Sequence, residues 1–313
     1  MTEDLVTEYI AWCVNVRKNR SRGLAVKLGI VYAALRNYPP IKGMDLKWIA
    51  LLKSGLPQDP EELIRAAKEA KWVSYDDLWQ IPSKIRRELA RNTTNNWRAA
   101  LLCQEALLIS WLLMLPWRQR NVRQMKLGRF ENGGNLCKCR VPASSTIAKP
   151  AWVQEALRAY PQGEFWQFHF RSEETKTRHT VLAFVPNQLI CLLEEFLEHH
   201  RPHLIRGNDP GTLFINRKGK PFDSMGVENL VGQVTLRHSG RRVNPHLFRD
   251  IFALKWLEDH PEDYLTLAKI LWHRSVTTTI RYYGQKFDES HGARSVDQWL
   301  ERRALHAQDG RQQ

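Results

Sequence analysis

The chain has 313 residues, of which 43% are hydrophobic, so it can form buried cores and exceeds the usual size of one domain. Its 47 Lys and Arg residues outnumber 33 Asp and Glu residues, and the net charge of +14 favours a polyanionic partner such as nucleic acid. No apolar run approaches the roughly 20 residues of a membrane span, and the acidic N-terminus does not fit a signal peptide. We therefore expect a cytoplasmic protein that does not enter a membrane.

The five cysteines form an odd, scattered set, which is typical of reduced thiols rather than of a disulfide framework. Cys137-Lys138-Cys139 has the spacing of a metal-ligand pair, but no second Cys or His pair lies nearby in the sequence. We expect these two thiols at the edge of a strand, with no bound metal.

The N-terminal segment contains no acidic residue between Tyr9 and Met44. Such a segment repels itself unless a partner neutralises it. Apolar residues recur at helical spacing from Leu24 to Leu35, and Leu63 with Ile64 indicates a later helix. The pattern predicts a small helical domain over residues 1–72 whose basic face either contacts DNA or is simply solvated. The candidate contacts on this face are Arg17, Lys18, Arg20, Arg22 and Lys27.

A second domain is expected over residues 73–313. The run from Ser74 to Asp77 has the form of a helix capping box and marks its start. A longer apolar helix follows from about Trp97 to Leu115, and Pro116 ends or kinks it.

A β-hairpin is predicted in the middle of this domain. Trp166, Phe168 and Phe170 alternate with polar residues, a basic tip follows over residues 172–178, and a second strand covers Val181 to Val185. Helical patterns return over residues 188–199 and dominate after Met225. The fold class is therefore mainly α with a small antiparallel β-sheet, an α+β arrangement.

His246-x-x-Arg249 is the first candidate for chemistry. Pro245 places His246 in the first turn of a helix, where free backbone N–H groups and the helix dipole favour an anion. The neighbouring Arg249 guanidinium can bind two phosphate oxygens at once. Taken alone, such a pair is more often an ordinary surface pair.

The second candidate is His273, followed nine and ten residues later by Tyr282 and Tyr283. A phenol is a poor nucleophile at its usual pKa of about 10, and cationic neighbours lower that pKa. Tyrosine nucleophiles are therefore expected among Arg and His residues. The alternative is an aromatic ring packed with its hydroxyl at the surface.

Together these motifs resemble the catalytic signature of the tyrosine recombinases, also called phage integrases. The resemblance implies an N-terminal core-binding domain and a catalytic domain that clamp a DNA duplex between them. It implies site-specific cutting and rejoining of DNA through a 3′-phosphotyrosyl intermediate, with no metal, ATP or other cofactor.

The resemblance also implies a first catalytic arginine after the apolar helix. Arg118 fits this place best, and Arg120 is the fallback. Two departures from the family pattern stand out. Asn121 occupies a position where many members carry a carboxylate, and Trp272 stands where a Gly usually precedes the histidine.

A lysine at the hairpin tip is the remaining family position, and Lys176 fits it, with Lys126 and Arg178 as weaker candidates. The implied roles are distinct. Tyr282 attacks the phosphate, with Tyr283 as a rival one residue away. Lys176 protonates the leaving oxygen. The other three roles are a phosphate clamp (Arg118 and Arg249), a base for the tyrosine (His246) and a hydrogen-bond donor to the phosphate (His273).

The implied partner is double-stranded DNA with an inverted-repeat site, bound by a dimer on each site and by a tetramer in synapsis. Further candidate DNA contacts are Arg178, Arg241 and Arg242. A C-terminal helix with an apolar stripe (Val296, Trp299, Leu300, Ala304) either docks on a neighbouring protomer or packs on its own domain.

Two other functional classes fit part of the pattern. A type IB topoisomerase or a telomere resolvase shares this chemistry, and a non-catalytic DNA-binding protein shares the fold. The complete set of six candidate residues argues against the non-catalytic reading. An RNA-binding module is disfavoured because no stacking-strand motif is present.

Overall fold

The computed structural model describes residues 2–17, 19, 21–38, 40, 45–56, 70–91, 95–140, 154, 157–158 and 163–283. The chain divides into two compact units, Met1–Lys71 and Trp72–Gln313, while the boundary expected from the sequence lies one residue further on. The expected helix around Leu63 and the apolar stripe that begins at Val296 fall outside the described residues.

The first unit is helical, as the sequence predicts. It contains α1 (Glu3–Asn15), α2 (Ser21–Arg36) and α3 (Lys47–Ser54). Each helix contributes one buried residue to a shared apolar cluster, namely Val6, Leu28 and Ile49. Burial of one face of each short helix supplies stability that helices of this length lack in isolation.

The second unit begins with α4 (Tyr75–Trp79), α5 (Ile81–Arg91) and α6 (Asn96–Met114). Ser74 caps α4, because its Oγ accepts a hydrogen bond from the Asp77 N–H at 3.0 Å and donates to the Asp77 carboxylate at 2.7 Å. Contrary to the sequence expectation, α6 has the length and composition of a membrane span, but 83% of its apolar window is buried inside the protein. It serves as the central core helix.

A three-stranded antiparallel sheet follows the short helix α7 (Gln119–Arg123). Its strands are β1 (Leu136–Arg140), β2 (Glu164–Phe170) and β3 (Val181–Phe184), in that order across the sheet. The β2–β3 hairpin confirms the sequence prediction. Cys137 and Cys139 lie on edge strand β1 with their Sγ atoms 3.5 Å apart.

Among the described residues, the further α-helices are α8 (Asn187–Glu195), α9 (Ser224–Ser239), α10 (Pro245–Asp259), α11 (Tyr264–Ile270) and α12 (Val276–Tyr283). A π-helical turn over Phe196–His200 directly extends α8. Side chains of β2, α8, α9 and α10 pack with α6 in one large core. The fold is thus mainly α with a small antiparallel sheet, as predicted, and its core fixes the segments that carry the candidate residues.

Candidate active site

Arg118 lies in the turn between α6 and α7, where it is the residue that precedes α7. The side chain is partly buried, and burial lowers the pKa of the guanidinium, while the nearby Tyr283 phenol opposes this shift. The fallback residue Arg120 is exposed and donates from Nε to Gln124 Oε1 at 3.0 Å. The structure therefore brings Arg118, and not Arg120, to the candidate site.

Arg249 extends from α10 into the interior and is only 3% exposed. Its guanidinium donates to the backbone carbonyl of Pro116 at 2.8 Å and to the carbonyl of Leu271. Burial and then the like charge of Arg118 lower the pKa of Arg249 to about 10. Two guanidinium groups thus lie close enough for their charges to interact, and both are at least partly buried, an arrangement that an anion stabilises.

His273 lies just after α11, and its Nδ1 is 2.8 Å from the Thr279 hydroxyl on α12. Burial, followed by the charges of Arg249 and Arg118, lowers the pKa of His273 to about 4. The imidazole is consequently neutral at pH 7. When the Thr279 hydroxyl donates to Nδ1, the single ring proton lies on Nε2 and is free to be donated.

The tyrosine pair at the end of α12 is divided between surface and interior. Tyr282 is 71% exposed, whereas Tyr283 is 6% exposed and its phenol donates to the Asp250 carboxylate at 3.0 Å. Burial raises the pKa of the Tyr283 phenol most, and the Asp250 carboxylate raises it further, while the Arg249 charge acts in the opposite direction. Because successive helix residues differ by about 100° around the axis, the two phenols point in different directions. Tyr283 lies close enough to Arg118 and Arg249 to influence the pKa values of both guanidinium groups, whereas Tyr282 lies at the surface.

Lys176 lies at the exposed tip of the β2–β3 hairpin, the place expected from the sequence. A hydrogen bond ties this loop to α7, because the buried Asn121 amide donates from Nδ2 to the Glu174 carbonyl at 3.2 Å. Thr175 adds a second restraint, since its Oγ1 accepts from the His179 N–H at 3.1 Å. Asn121 thus supports the lysine loop, although the family carboxylate at this position is expected to support Arg118.

His246 occupies the first turn of α10, which begins at Pro245, as the sequence predicts. Asn244 caps this helix, accepting from the Leu247 N–H at 2.9 Å. His246 is exposed, while Arg249 one turn further is buried, so the pair extends from the surface into the interior.

The basic residues suggested as further DNA contacts have different environments. Arg241 donates to the Trp72 carbonyl at 2.8 Å, and Arg242 donates to Asn229 Oδ1 at 2.7 Å. Arg178 and Lys27 are exposed, and the Arg17 guanidinium lies 5.3 Å from the centre of the Trp12 ring. Lys18, Arg20 and the side chain of Arg22 lie outside the described part of the chain.

The sequence did not indicate two further residues of the site, Asp250 and Thr279. Asp250 contacts Tyr283, and Thr279 contacts His273. Asp250 directly follows Arg249, but helix periodicity alone does not show that it meets a tyrosine 33 residues later. Thr279 lies in a run of three threonines, and only the fold identifies it as the buried one. No sequence signal separates Thr279 from its two neighbours.

A possible metal cluster also escaped the sequence analysis. Donor atoms of Cys103, Glu195 and His200 lie within 4.8 Å of one another, because the π-helical turn brings His200 back towards Glu195. However, Arg86 already pairs with Glu195 at 2.8 Å, and burial raises the pKa of the Cys103 thiol to about 12. Both features oppose the binding of a cation.

Comparison with known proteins adds independent information. The phage integrase family model matches residues 134–289, which include every catalytic candidate except Arg118. The tyrosine recombinase XerC of Lactobacillus delbrueckii subsp. bulgaricus is 32% identical over 93 residues, covering 29% of this chain and 31% of that protein. XerD of Staphylococcus saprophyticus is 29% identical over 95 residues, covering 30% of this chain and 32% of that protein. The chain thus spans about a third of the length of the curated relatives it matches.

Solved structures of similar proteins include the XerH site-specific recombinase bound to a palindromic difH substrate. It has a TM-score of 0.48 and 16% identity, covering 91% of this chain and 74% of that chain. The Tn1549 transposon integrase in complex with transposon right-end DNA has a TM-score of 0.41 and 13% identity, covering 96% of this chain and 100% of that chain.

The family match coincides with the hairpin and with the helices that carry His246, Arg249, His273 and the tyrosine pair. The signature found in the sequence and the match to the family model therefore agree, and the chain belongs to the phage integrase family, the tyrosine recombinases.

Proposed function

We propose that this protein is a site-specific DNA recombinase that cuts and rejoins DNA through a 3′-phosphotyrosyl intermediate, without metal or ATP. The observation that carries the proposal is the clustering of Arg118, Arg249 and the neutral His273, in which both arginine charges act on the imidazole. Two guanidinium groups that lie close together and are partly buried can together bind the non-bridging oxygens of one phosphate group.

The proposed chemistry is an in-line phosphoryl transfer. The tyrosine oxygen bonds to phosphorus, and the bond between phosphorus and the 5′-oxygen breaks. Arg118 and Arg249 stabilise the charge on the non-bridging oxygens as the transition state forms. His246 takes the tyrosine proton, and Lys176 gives a proton to the leaving 5′-oxygen. The phosphotyrosyl bond conserves the energy of the broken linkage, so a 5′-hydroxyl can later reverse the step.

His273 is proposed to donate from Nε2 to a phosphate oxygen. Its depressed pKa keeps the ring neutral, so the Thr279 hydroxyl rather than overall charge controls which nitrogen carries the proton. The Arg pair supplies the positive charge, and the imidazole supplies one directed hydrogen bond.

Tyr282 is the proposed nucleophile. The nine-residue interval from His273 supports it, and its exposed phenol is accessible to a duplex that docks on the surface. Tyr283 is bound to Asp250, and its raised pKa makes the phenolate scarce at neutral pH. In this assignment Tyr283 anchors α12, and Tyr282 performs the attack.

The proposal is tested with suicide duplexes taken from the DNA that flanks the gene, each nicked near an inverted repeat. Denaturing electrophoresis should show a protein–DNA adduct for wild type and Tyr283→Phe, and none for Tyr282→Phe. An adduct that persists in Tyr282→Phe but disappears in Tyr283→Phe would reverse the nucleophile assignment. Absence of any adduct, with sequence-specific DNA binding retained, would favour a non-catalytic DNA-binding protein.

The recombinase and topoisomerase alternatives differ in their need for a second duplex. Relaxation of supercoiled plasmid by the wild type, without joining of two labelled duplexes, would indicate a type IB topoisomerase. Joined products that contain strands from both duplexes would support recombination. A hairpin product on a single end would indicate a telomere resolvase.

Self-association through the C-terminal segment is part of the same proposal. An open groove of about 650 Å³ in the second unit is lined mainly by apolar side chains, among them the aromatic residues Tyr75, Trp79, Phe252, Trp256 and Trp272. We propose that the stripe containing Trp299 enters this groove on a second copy, giving dimers on one site and tetramers in synapsis. Trp299→Ala should then reduce tetramers on paired sites while leaving the single-site adduct intact, as measured by native electrophoresis.

Membership of a mobile element and a cytoplasmic location, associated with the nucleoid, complete the proposal. A metal-free reaction on intracellular DNA is consistent with the reduced state expected for the five cysteines.

A further inference from the structure

Trp272 has an unusual backbone conformation for a large side chain. Its φ angle is 52°, in the left-handed region that β-carbon sterics disfavour for every residue except glycine. The N–H of Trp272 donates to the Lys269 carbonyl at 3.0 Å, and the N–H of His273 donates to the Ala268 carbonyl at 2.9 Å. These two bonds form a Schellman motif at the end of α11, with Trp272 at the position that glycine normally occupies.

The aromatic neighbours of Trp272 hold it in this conformation. Its ring centre lies 4.4 Å from that of Trp117 and 5.8 Å from that of Phe170, and the rings of Trp117 and Phe170 are themselves 5.8 Å apart. Strained residues persist where the surrounding packing determines them, and such positions are frequent at functional sites.

These three rings, which we call the aromatic triad, come from three segments that each present a proposed catalytic residue. Trp117 directly precedes Arg118, and Trp272 directly precedes His273. Phe170 is the last residue of β2, just before the loop with Lys176 at its tip. Contact among the rings therefore holds the three segments in place relative to one another.

Arg249 connects two of the same segments by hydrogen bonds. Its guanidinium donates to the carbonyls of Pro116 and Leu271, which are the residues immediately before Trp117 and Trp272. The hydrogen bonds of Arg249 and the contact between the Trp117 and Trp272 rings thus bridge the same pair of turns. A shift of the Trp272 ring would move the His273 turn relative to Arg118 and would also disturb the anchor of Arg249.

We propose that the aromatic triad of Trp117, Phe170 and Trp272 sets the mutual geometry of Arg118, His273 and the Lys176 loop, which makes Trp272 a positioning residue for strand cleavage. This inference rests on the proposed recombinase function. It explains why a tryptophan occupies a glycine position: its ring contacts offset the backbone strain.

The test compares Trp272→Gly with Trp272→Phe in single-turnover cleavage of the suicide duplex. Glycine accepts the left-handed turn, so the Schellman motif remains while the ring contacts are lost. We expect the Trp272→Gly cleavage rate constant to fall by about 10- to 100-fold, the order of loss that small misplacements cause in active sites. DNA affinity should stay within about twofold, and Trp272→Phe should recover most of the rate.

The matched control is Glu262→Gly, which removes a second left-handed non-glycine residue (φ 66°) in an exposed position outside the aromatic triad. Its rate constant should equal that of wild type. Partial unfolding of Trp272→Gly would lower the amplitude of adduct formation, whereas misplacement lowers the rate constant at full amplitude. Thermal denaturation of each variant confirms the fraction folded at the assay temperature.

Three results would contradict the inference: a wild-type rate constant in Trp272→Gly, a reduced amplitude at an unchanged rate constant, or a Trp272→Phe variant as slow as Trp272→Gly. If the wild type is active and Trp272→Gly cleaves at the same rate, the positioning role of Trp272 is contradicted and the proposed function is not. A wild type that forms no adduct removes the proposed function, and the positioning role with it.

Discussion

The phenol of Tyr283 donates a hydrogen bond to the carboxylate of Asp250 at 3.0 Å, and this contact turns the second tyrosine of the pair into the protein. Asp250 directly follows Arg249 in the sequence, and Tyr283 and Arg249 lie close enough to influence each other's pKa. It also orients α12 so that Tyr282 faces outward. The end of α12 is therefore fixed by one tyrosine, which leaves the other accessible.

The first prediction concerns this anchor. Tyr283→Phe removes the donor and leaves the buried Asp250 carboxylate without it, so the free energy of unfolding should fall by about 1–3 kcal/mol. The exposed Tyr282→Phe is the matched control and should change stability by less than about 0.5 kcal/mol. Urea denaturation followed by circular dichroism measures both. Equal stability of the two variants would show that the Asp250 contact contributes little.

The second prediction concerns Asn121, which stands at a position where many family members carry a carboxylate. Asn121→Asp replaces an amide donor with an acceptor that faces the Glu174 carbonyl at 3.2 Å. We expect a loss of about 1–3 kcal/mol in unfolding free energy and slower cleavage, because the loop that presents Lys176 loses its support.

The control for Asn121→Asp is Asn132→Asp, the same change at an exposed position. It should have no measurable effect on unfolding or on cleavage. A more stable or faster Asn121→Asp variant would instead mean that a carboxylate at position 121 supports Arg118 in this protein.

The third prediction concerns the tautomer of His273. Thr279→Val keeps the buried shape but removes the hydroxyl that lies 2.8 Å from Nδ1, so the ring proton is no longer confined to Nε2. The cleavage rate constant should fall by up to about 100-fold, the lower end of what acid–base groups contribute. Thr279→Ser retains the hydroxyl and should remain close to wild type. Similar rates for the Val and Ser variants would contradict tautomer control.

The fourth prediction is a pH dependence of stability. The pKa of His273 is about 4 in the folded protein, below the value of about 6.5 expected for the unfolded chain. Between these values the unfolded chain binds more protons, so His273 makes the protein progressively less stable as the pH falls from about 7 to about 4. His273→Gln removes this contribution.

Urea denaturation at several pH values between 7.5 and 4.5 tests this expectation. Wild type should lose more stability over that range than His273→Gln. His200 and His238 also have pKa values lowered by burial, and because both proteins retain them, their contributions cancel in the comparison. Parallel pH profiles for the two proteins would contradict the shift assigned to His273.

The elements that carry the site followed from local patterns in the sequence. Pro245 marks the start of α10 because its fixed φ suits the first helical position, and Ser74 caps α4 because its hydroxyl meets a free N–H. The alternation from Trp166 to Phe170 predicts β2, and Pro116 marks the end of α6. Each of these signals depends on residues only a few positions apart.

The contacts that the sequence did not reveal join residues far apart along the chain. The bond between Tyr283 and Asp250 spans 33 residues, and the bond between Arg249 and Pro116 spans 133. Helix spacing shows that Tyr282 and Tyr283 face different directions, but the packing of α12 on α10 determines which one is buried. The family pattern marked position 272 as unusual, yet only the fold shows the rings that hold Trp272 there.

The central claim is that Tyr282 becomes covalently attached to DNA, and peptide mapping of the wild-type adduct tests it most directly. Trypsin cleaves after Arg281 and Lys286, which releases a five-residue peptide, Tyr-Tyr-Gly-Gln-Lys, that contains both tyrosines. After nuclease digestion, fragmentation mass spectrometry locates the remaining nucleotide on this peptide. We predict that the nucleotide lies on the first tyrosine, Tyr282, and a nucleotide on Tyr283 would contradict the account.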